Sequence, residues 1–342
     1  MEHVAIDLGG RESQICVRSA DGTILEERRW ATGNLSKYLS RRPPSRVVVE
    51  ACAEAFRVAD QARELGHEVV VVPATLAPAL GVGSRGVKND VRDAQHLSAA
   101  SCRMAELPSV HIASEASRRI KSTCSMREGL IGARTAIVNT VRGWLRALAL
   151  GPMRSGAVES FPARFRKHLA AHRIEAPAFV ERAVGVIEHL TEQIRAADAE
   201  LEEIAESHEV CRRLMTVPGV GPVTSVRFVA AIDDVRRFEN AHKVESYLGL
   251  TPGERSSSDH KQNTSITKAG STRVRWTLVQ AAWAAMRSRG RHPMLEWTTK
   301  VTDRRGKRIA VVALARKMAG ILYAIWRDGT VYDSQRGATT AM

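Results

Sequence analysis

The sequence predicts an α/β domain followed by a mostly helical remainder, and three observations carry that prediction. Short apolar runs of strand length cluster in the first 75 residues, separated by Gly-containing turns. From about residue 90 onward the apolar spacing becomes helical. Between 178 and 205 an apolar seam advances in steps of three and four.

Residues 3–8 (HVAIDL), 13–18 (SQICVR) and 23–29 form three strand-like runs joined through "LGGRE" and "ADGT". A helix-sized stretch (35–41) leads to "RVVVE" (46–50), a valine run short enough for a buried strand. A helix pattern from Ala53 to Leu65 and a further run, "EVVVVP" (68–73), complete the order βββαβαβ. That order is the one of an RNase H-like domain built on a mixed sheet.

"GVGSRGVKNDVRDAQHL" (81–97) is a Gly-rich loop entering a helix near Asp90. A basic helical stretch spans Ser114 to about Ala149, and Pro152 and Gly156 end it. Ile187, Leu190, Ile194, Ala197, Leu201 and Ile204 make a coiled-coil seam with Glu/Arg-rich flanks, which predicts a helical arm or dimerisation hairpin. An amphipathic helix lying on its own domain gives the same spacing over a few turns. "VPGVGPVT" (217–224) has the form of a helix-hairpin-helix turn, in which Gly219 and Gly221 would let backbone N–H groups approach a phosphate. A tight helix–helix turn without a ligand uses the same glycines. A short helix (240–248), a Gly/Pro-bounded loop holding Ser256-Ser257-Ser258, a long helix from Ser271 to Arg287 and a last helix from Arg308 to Trp326 follow. The expected organisation is thus an α/β domain over 1–112, a helical coiled-coil arm over 113–208 and a mostly α C-terminal domain over 209–342.

The 342 residues are 44% hydrophobic and 26% charged, an ordinary globular composition, but carry a net charge of +14. From Thr251 to Met342 there are 17 Lys+Arg against 6 Asp+Glu. A basic excess concentrated in a helical region points to a polyanion, most commonly nucleic acid. The five cysteines are scattered without a C-x-x-C pair, which argues against zinc and disulfides and for a reducing compartment. The N-terminus has no signal-peptide pattern, and no run reaches the roughly 18 uninterrupted apolar residues of a span. A soluble, intracellular protein is expected.

Asp7 falls at the end of the first strand and Glu50 at the end of the fourth, neighbours in the expected sheet. Asp90 and Asp93 share one helical face. Singly, each acid is better read as a cap or turn residue. Together on one rim they call for a hard divalent cation, Mg²⁺ or Mn²⁺, able to assist phosphodiester chemistry.

Asp7 on its strand, Glu50 after "VVV", "KNDVRDAQHL", "VPGVGPVTS" and "YLGLTPGERSSS…ITKAGSTRVRWTLVQAA" together resemble the transposases of the IS110 family of insertion sequences. The resemblance covers nearly the whole chain. It implies a RuvC-like domain with a D-E-D-D metal site at Asp7, Glu50, Asp90 and Asp93, and a nucleophilic serine in a C-terminal transposase domain. The serine carries over to Ser257, with Ser256 one register away. The resemblance further implies dimers that pair into tetramers, and a structured non-coding bridge RNA directing the enzyme to donor and target DNA. This chain has Ala-Cys-Ala after Glu50 and Leu-Gly-Gly-Arg after Asp7, departures from the usual family run that leave the acids in place.

On this reading Ser257 is activated at the metal site and forms a 5′-phosphoseryl link. Lys261, Lys268, Arg273 and Arg275 hold phosphates near the attacked bond, and Arg304, Arg305, Lys307 and Arg308 grip nucleic-acid backbone. The alternative is a Holliday-junction-type endonuclease in which the acids activate water. A non-catalytic nucleic-acid scaffold is a further rival, one that leaves the four acids unexplained.

Overall fold

The computed structural model describes residues 1–82, 89–257, 260–288 and 293–333, with backbone only at 255–257 and 260–263. The chain divides into two compact units, Met1–Ala113 and Ser114–Met342.

The first unit holds strands β1 (His3–Asp7), β2 (Glu12–Arg18), β3 (Ile24–Ala31), β4 (Arg46–Glu50) and β5 (Glu68–Val72), with helices α1 (Leu35–Leu39), α2 (Ala55–Glu64) and α3 (Asp90–Arg103). The sheet order is β3-β2-β1-β4-β5. β1, β2 and β3 pair antiparallel, while β1–β4 and β4–β5 are parallel. Alternation along the strands sorts residues to two faces. Val4, Ile6, Val47 and Val49 pack with α1 and α2, whereas Ala5, Val48 and Val72 pack with Leu97 and Ala100 of α3. The valine run of β4 is buried because both faces are covered.

Three contacts fix the direction of α3. His3 Nδ1 lies 2.7 Å from Ser101 Oγ, the Cys16 and Arg18 side chains meet Ser98, and Arg46 donates to the Met104 and Ala105 carbonyls at 3.0 and 2.8 Å. The C-terminus of α3 therefore lies at the start of β1 and its first turn at the end of β1.

The second unit comprises α4 (Glu115–Ala147), α5 (Phe161–Ala171), α6 (Ala178–Ser207), α7 (Glu209–Leu214), α8 (Pro222–Ile232), α9 (Ala241–Tyr247), α10 (Thr272–Arg287), α11 (Pro293–Arg305) and α12 (Lys307–Asp328). It also contains β6 (Pro252–Ser257) and β7 (His260–Ile266), an antiparallel pair. The stretch read from sequence as a loop is therefore a hairpin. Its polar, Gly-poor arms satisfy each other's backbone groups in a ladder, which a pattern of apolar alternation does not reveal.

α4 and α6 lie antiparallel within the chain, with Arg127 bonded to Asp198 and Arg134 to Thr191 at 3.2 Å. The buried stripe of α6 is Val180, Val184, Ile187, Thr191, Ile194, Leu201 and Ala205. It is rotated from the seam read in the sequence, of which Leu190, Ala197 and Ile204 are only half-buried. Leu201 and Ala205, in the last turns of α6, enter the same core as α7 to α12. α12 has the length and hydropathy of a membrane span, yet Leu314, Ala315, Met318, Ala319 and Leu322 are fully buried at the centre of that core.

Candidate functional site

In the first unit the parallel register sets Ile6 against Val49, so Asp7 and Glu50 follow as the last residues of adjacent strands. Their parity is that of Ala5 and Val48, which places them on the face covered by α3. On α3, Asp93, Leu97 and Ala100 form one buried stripe toward the sheet, and Asp93 is only 4% exposed. Because α3 runs against β1, that stripe puts Asp93 at the rim where Asp7 and Glu50 end. Asp90 is exposed and borders a hollow with Arg11, Gln14 and Arg29. Gln14 is the register partner of Asp7. Asn89 caps the helix, its side chain accepting from Val91 N at 3.0 Å.

Asp7, Glu50 and Asp93 thus lie toward one end of one sheet face, with Asp90 exposed in the first turn of the same helix. Among the described residues no three His, Cys, Asp or Glu side chains stand in metal-holding geometry. The donor set is nonetheless chemically suited to a hard divalent cation, being entirely carboxylate oxygen. The preceding loop, 83–88, lies outside the described residues.

In the second unit the segments "YLGLTP" and "ITKAG" form one clasp. Lys268 N donates to Gly249 O at 3.1 Å and Thr267 N to Thr251 O at 2.9 Å. Gly249 has φ +68°, and a Cβ there would sit 2.6 Å from Ala269 N. A Cβ on Gly270 would sit 2.0 Å from the Tyr247 carbonyl oxygen. Two motifs some twenty residues apart in sequence occur together because each occupies space only the other's glycine leaves free. The clasp is the base of the β6–β7 hairpin. Ser256 and Ser257 are the last residues of β6, paired in backbone register with Lys261 and His260. The side chains of Ser256, Ser257 and Lys261, and residues Ser258 and Asp259 altogether, lie outside the described residues.

Arg275 corrects an expectation. Predicted to hold a phosphate, it is instead buried, donating to the carbonyls of Leu248 and Gly270 at 3.2 and 2.5 Å and to Thr272 Oγ1 at 3.1 Å. Its guanidinium ties the clasp to α10 by filling the Leu248 carbonyl at the end of α9 and the Gly270 carbonyl ahead of α10. Arg275→Gln is expected to cost about 2–3 kcal/mol through those unmet carbonyls. Thermal denaturation checks the loss, and the salt dependence of DNA binding is expected to stay unchanged.

Arg273 is 60% exposed at its side chain and pairs with Glu128 at 2.9 Å. Lys268 is exposed, with φ +58°. Arg304, Arg305, Lys307 and Arg308 are all exposed around the Gly306 turn between α11 and α12. Gly219 (φ +84°) is filled from outside by α10, since a Cβ would lie 2.3 Å from Ala281 O. Its conformation therefore serves close helix packing. Gly221, the N-cap of α8, has open space before it. Sequence reading missed the buried Arg227, whose guanidinium bonds Glu128 across 99 residues of chain. Such long-range pairs leave no local signal.

Residues 4–149 match a transposase family of the DEDD type and residues 211–295 match the transposase family IS116/IS110/IS902. A Sinorhizobium fredii protein named as a transposase, y4qE, is 31% identical over 294 residues, covering 78% of this chain and 71% of its own length. The chain belongs to the IS116/IS110/IS902 family of transposases. The transposase for insertion sequence element IS1328 of Yersinia enterocolitica is 26% identical over 342 residues, covering 96% of this chain and 98% of its own length. A pilin gene-inverting protein of Moraxella bovis is 30% identical over 157 residues, 44% of this chain and 48% of its own. This IS110-type transposase is thus an enzyme of DNA recombination, cutting and rejoining DNA. The first family match spans all four carboxylates, and the second spans the clasp and hairpin.

Proposed function

We propose that this transposase cuts and rejoins DNA through a covalent serine intermediate formed at a metal site of Asp7, Glu50, Asp90 and Asp93. The observation that supports the reading is the rim: Asp7 and Glu50 end adjacent strands, and Asp93, up to 86 positions away in sequence, is buried on the helix over that face, with Asp90 in its first turn. A divalent cation bound there, Mg²⁺ or Mn²⁺, would offset phosphate charge and favour the alkoxide of an attacking hydroxyl.

Ser257 supplies that hydroxyl. Its Oγ forms the bond to phosphorus while the P–O3′ bond breaks, the serine loses its proton and the departing 3′ oxygen gains one. The 5′-phosphoseryl link conserves the bond energy, so rejoining needs no external source. The hairpin suits this role because its base is locked by the clasp while the serines lie at its far end. The relative named for gene inversion supports rejoining as well as cutting.

Lys261 and Lys268 flank the attacked phosphate, and Arg304, Arg305, Lys307 and Arg308 hold backbone further away. Gly221 at the open head of α8 offers an N–H approach to a phosphate, with Gly219 setting the turn. A bridge RNA reads donor and target by pairing while the protein grips backbone shape. Dimers through the α4–α6 arm, paired into tetramers, bring serine and acids together, and the enzyme works in the cytoplasm on the nucleoid.

A denaturing gel tests the chemistry. Protein, Mg²⁺, RNA from the element's flank and end-labelled target DNA are mixed and quenched. Label migrating with wild-type and Ser256→Ala protein, and absent with Ser257→Ala, is the expected result. Cleaved DNA without an adduct, unaffected by Ser257→Ala, would establish a water-using endonuclease instead.

A further inference from the structure

Between α4, α8 and the head of α10 lies a cavity of about 320 Å³, bounded on one side by Leu248, Ala269 and Gly270 of the clasp. Its polar wall is Lys121 and Ser125 from α4, Arg227 from α8, and Ser271 and Arg273 at the start of α10. Behind them Glu128 accepts from both Arg227 and Arg273. One carboxylate therefore serves two guanidinium groups, and with Lys121 the set keeps an excess of positive charge. The first turn of the sixteen-residue α10 adds the positive end of its dipole and N–H groups not used within the helix.

A second observation points to a missing anion. Arg227 is 5% exposed. One terminal nitrogen reaches Glu128 and Thr277, the latter at 3.2 Å, and the other reaches the Cys124 carbonyl at 3.3 Å. Its Nε–H has no acceptor among the described residues. Arg42, Arg46 and Arg134 also have an Nε without a hydrogen-bond partner, but only Arg227 among them lines this cavity, so its spare donor calls for an acceptor here. Burial, with Arg127 and Arg273 nearby, pulls the Arg227 guanidinium below its ordinary value, the direction of an under-compensated charge.

We propose that this cavity receives one backbone phosphate of the DNA, gripped by Lys121, Arg227, Arg273 and the first-turn N–H groups of α10. The proposal rests on the reading of the hairpin as the DNA-cutting element. Gly270 and Leu248 form both the cavity's edge and the hairpin's base, so a phosphate seated here has a fixed distance to the serine strand. The five steps from Pro252 to Ser257 span ~17 Å at ~3.4 Å each, about five base-pair rises along the DNA axis. The cavity would act as a ruler that sets register on the DNA.

The test uses the full chain carrying Ser257→Ala, without metal, so that cutting plays no part. Binding to a labelled duplex from the element's end is followed across about 50 to 300 mM KCl. Lys121→Gln is expected to weaken binding about tenfold at low salt and to reduce the log–log salt slope by about 0.9. Phosphate ethylation is expected to interfere at one position with the parent protein and not with Lys121→Gln. An unchanged slope, or a reduced slope with the full ethylation pattern intact, would overturn the proposal. So would an effect seen with the RNA and not with DNA. If the parent protein binds no DNA, the underlying reading fails with it, whereas a missing adduct in the gel experiment leaves this test standing.

Discussion

Asp7→Asn is expected to lower DNA strand cleavage on the order of 10³-fold or more while leaving DNA binding intact. The substitution keeps shape and removes one charge from the rim proposed to hold the cation, where Asp7 and Glu50 end adjacent strands. A cation held as proposed would need the full carboxylate set to offset its lost hydration, so one neutral amide would weaken the site far beyond a single hydrogen bond. Folding responds in the opposite sense. Like charges on one rim repel, and Asp7→Asn is expected to leave Tm unchanged or slightly raised. Glu50→Gln is expected to behave alike. Cleavage assays with saturating Mg²⁺, beside a melting curve, check both parts. Cleavage within tenfold of the wild type would remove Asp7 from the site and favour the scaffold reading.

Gly270→Ala is expected to be the most damaging small substitution in the second unit. Its Cβ would lie 2.0 Å from the Tyr247 carbonyl oxygen, and both partners are backbone, so neither yields cheaply. Overpacking against backbone costs roughly 3–5 kcal/mol. At ~2–4 °C per kcal/mol for a unit of this size, Tm should fall by roughly 10 °C. Gly219→Ala is expected to follow, since it adds a left-handed φ of +84° to a 2.3 Å approach to Ala281 O. Gly221→Ala is the control: nothing lies within 4 Å of its added Cβ, and Tm should hold within about 1 °C. A melting temperature for Gly270→Ala within about 2 °C of wild type would mean that the clasp gives way easily. The rigid base proposed for the serine hairpin would then be lost.

The catalytic consequence of the clasp is separate from its stability. Arg275 lies outside the proposed phosphate cavity and Gly270 only at its edge, and their role is to fix the position from which β6 and β7 project. A destabilised clasp should therefore lower cleavage at temperatures where the rest of the unit is still folded.

What was legible in the sequence follows from the range of the forces involved. The five strands, their order and the start of α3 at Asp90 are set by local alternation, valine runs and an Asn cap, all of which act over a few residues. The acids at strand ends were legible for the same reason, because a strand's last residue is fixed once its apolar run is known. The family motifs were legible as strings, with no sign of why they travel together. Tertiary structure alone decided the rest. It placed Arg275 under the hairpin base and Gly219 against α10, and it folded the serine segment into a ladder whose stabilising bonds are backbone ones indifferent to side-chain pattern. It also rotated the buried stripe of α6 to Val184, Thr191 and Ala205, because the choice between adjacent helical faces depends on what α4 presents. A sequence writes the period of a helix and the length of a strand; which charges are buried, and beside whom, is written only by the neighbours that folding brings together.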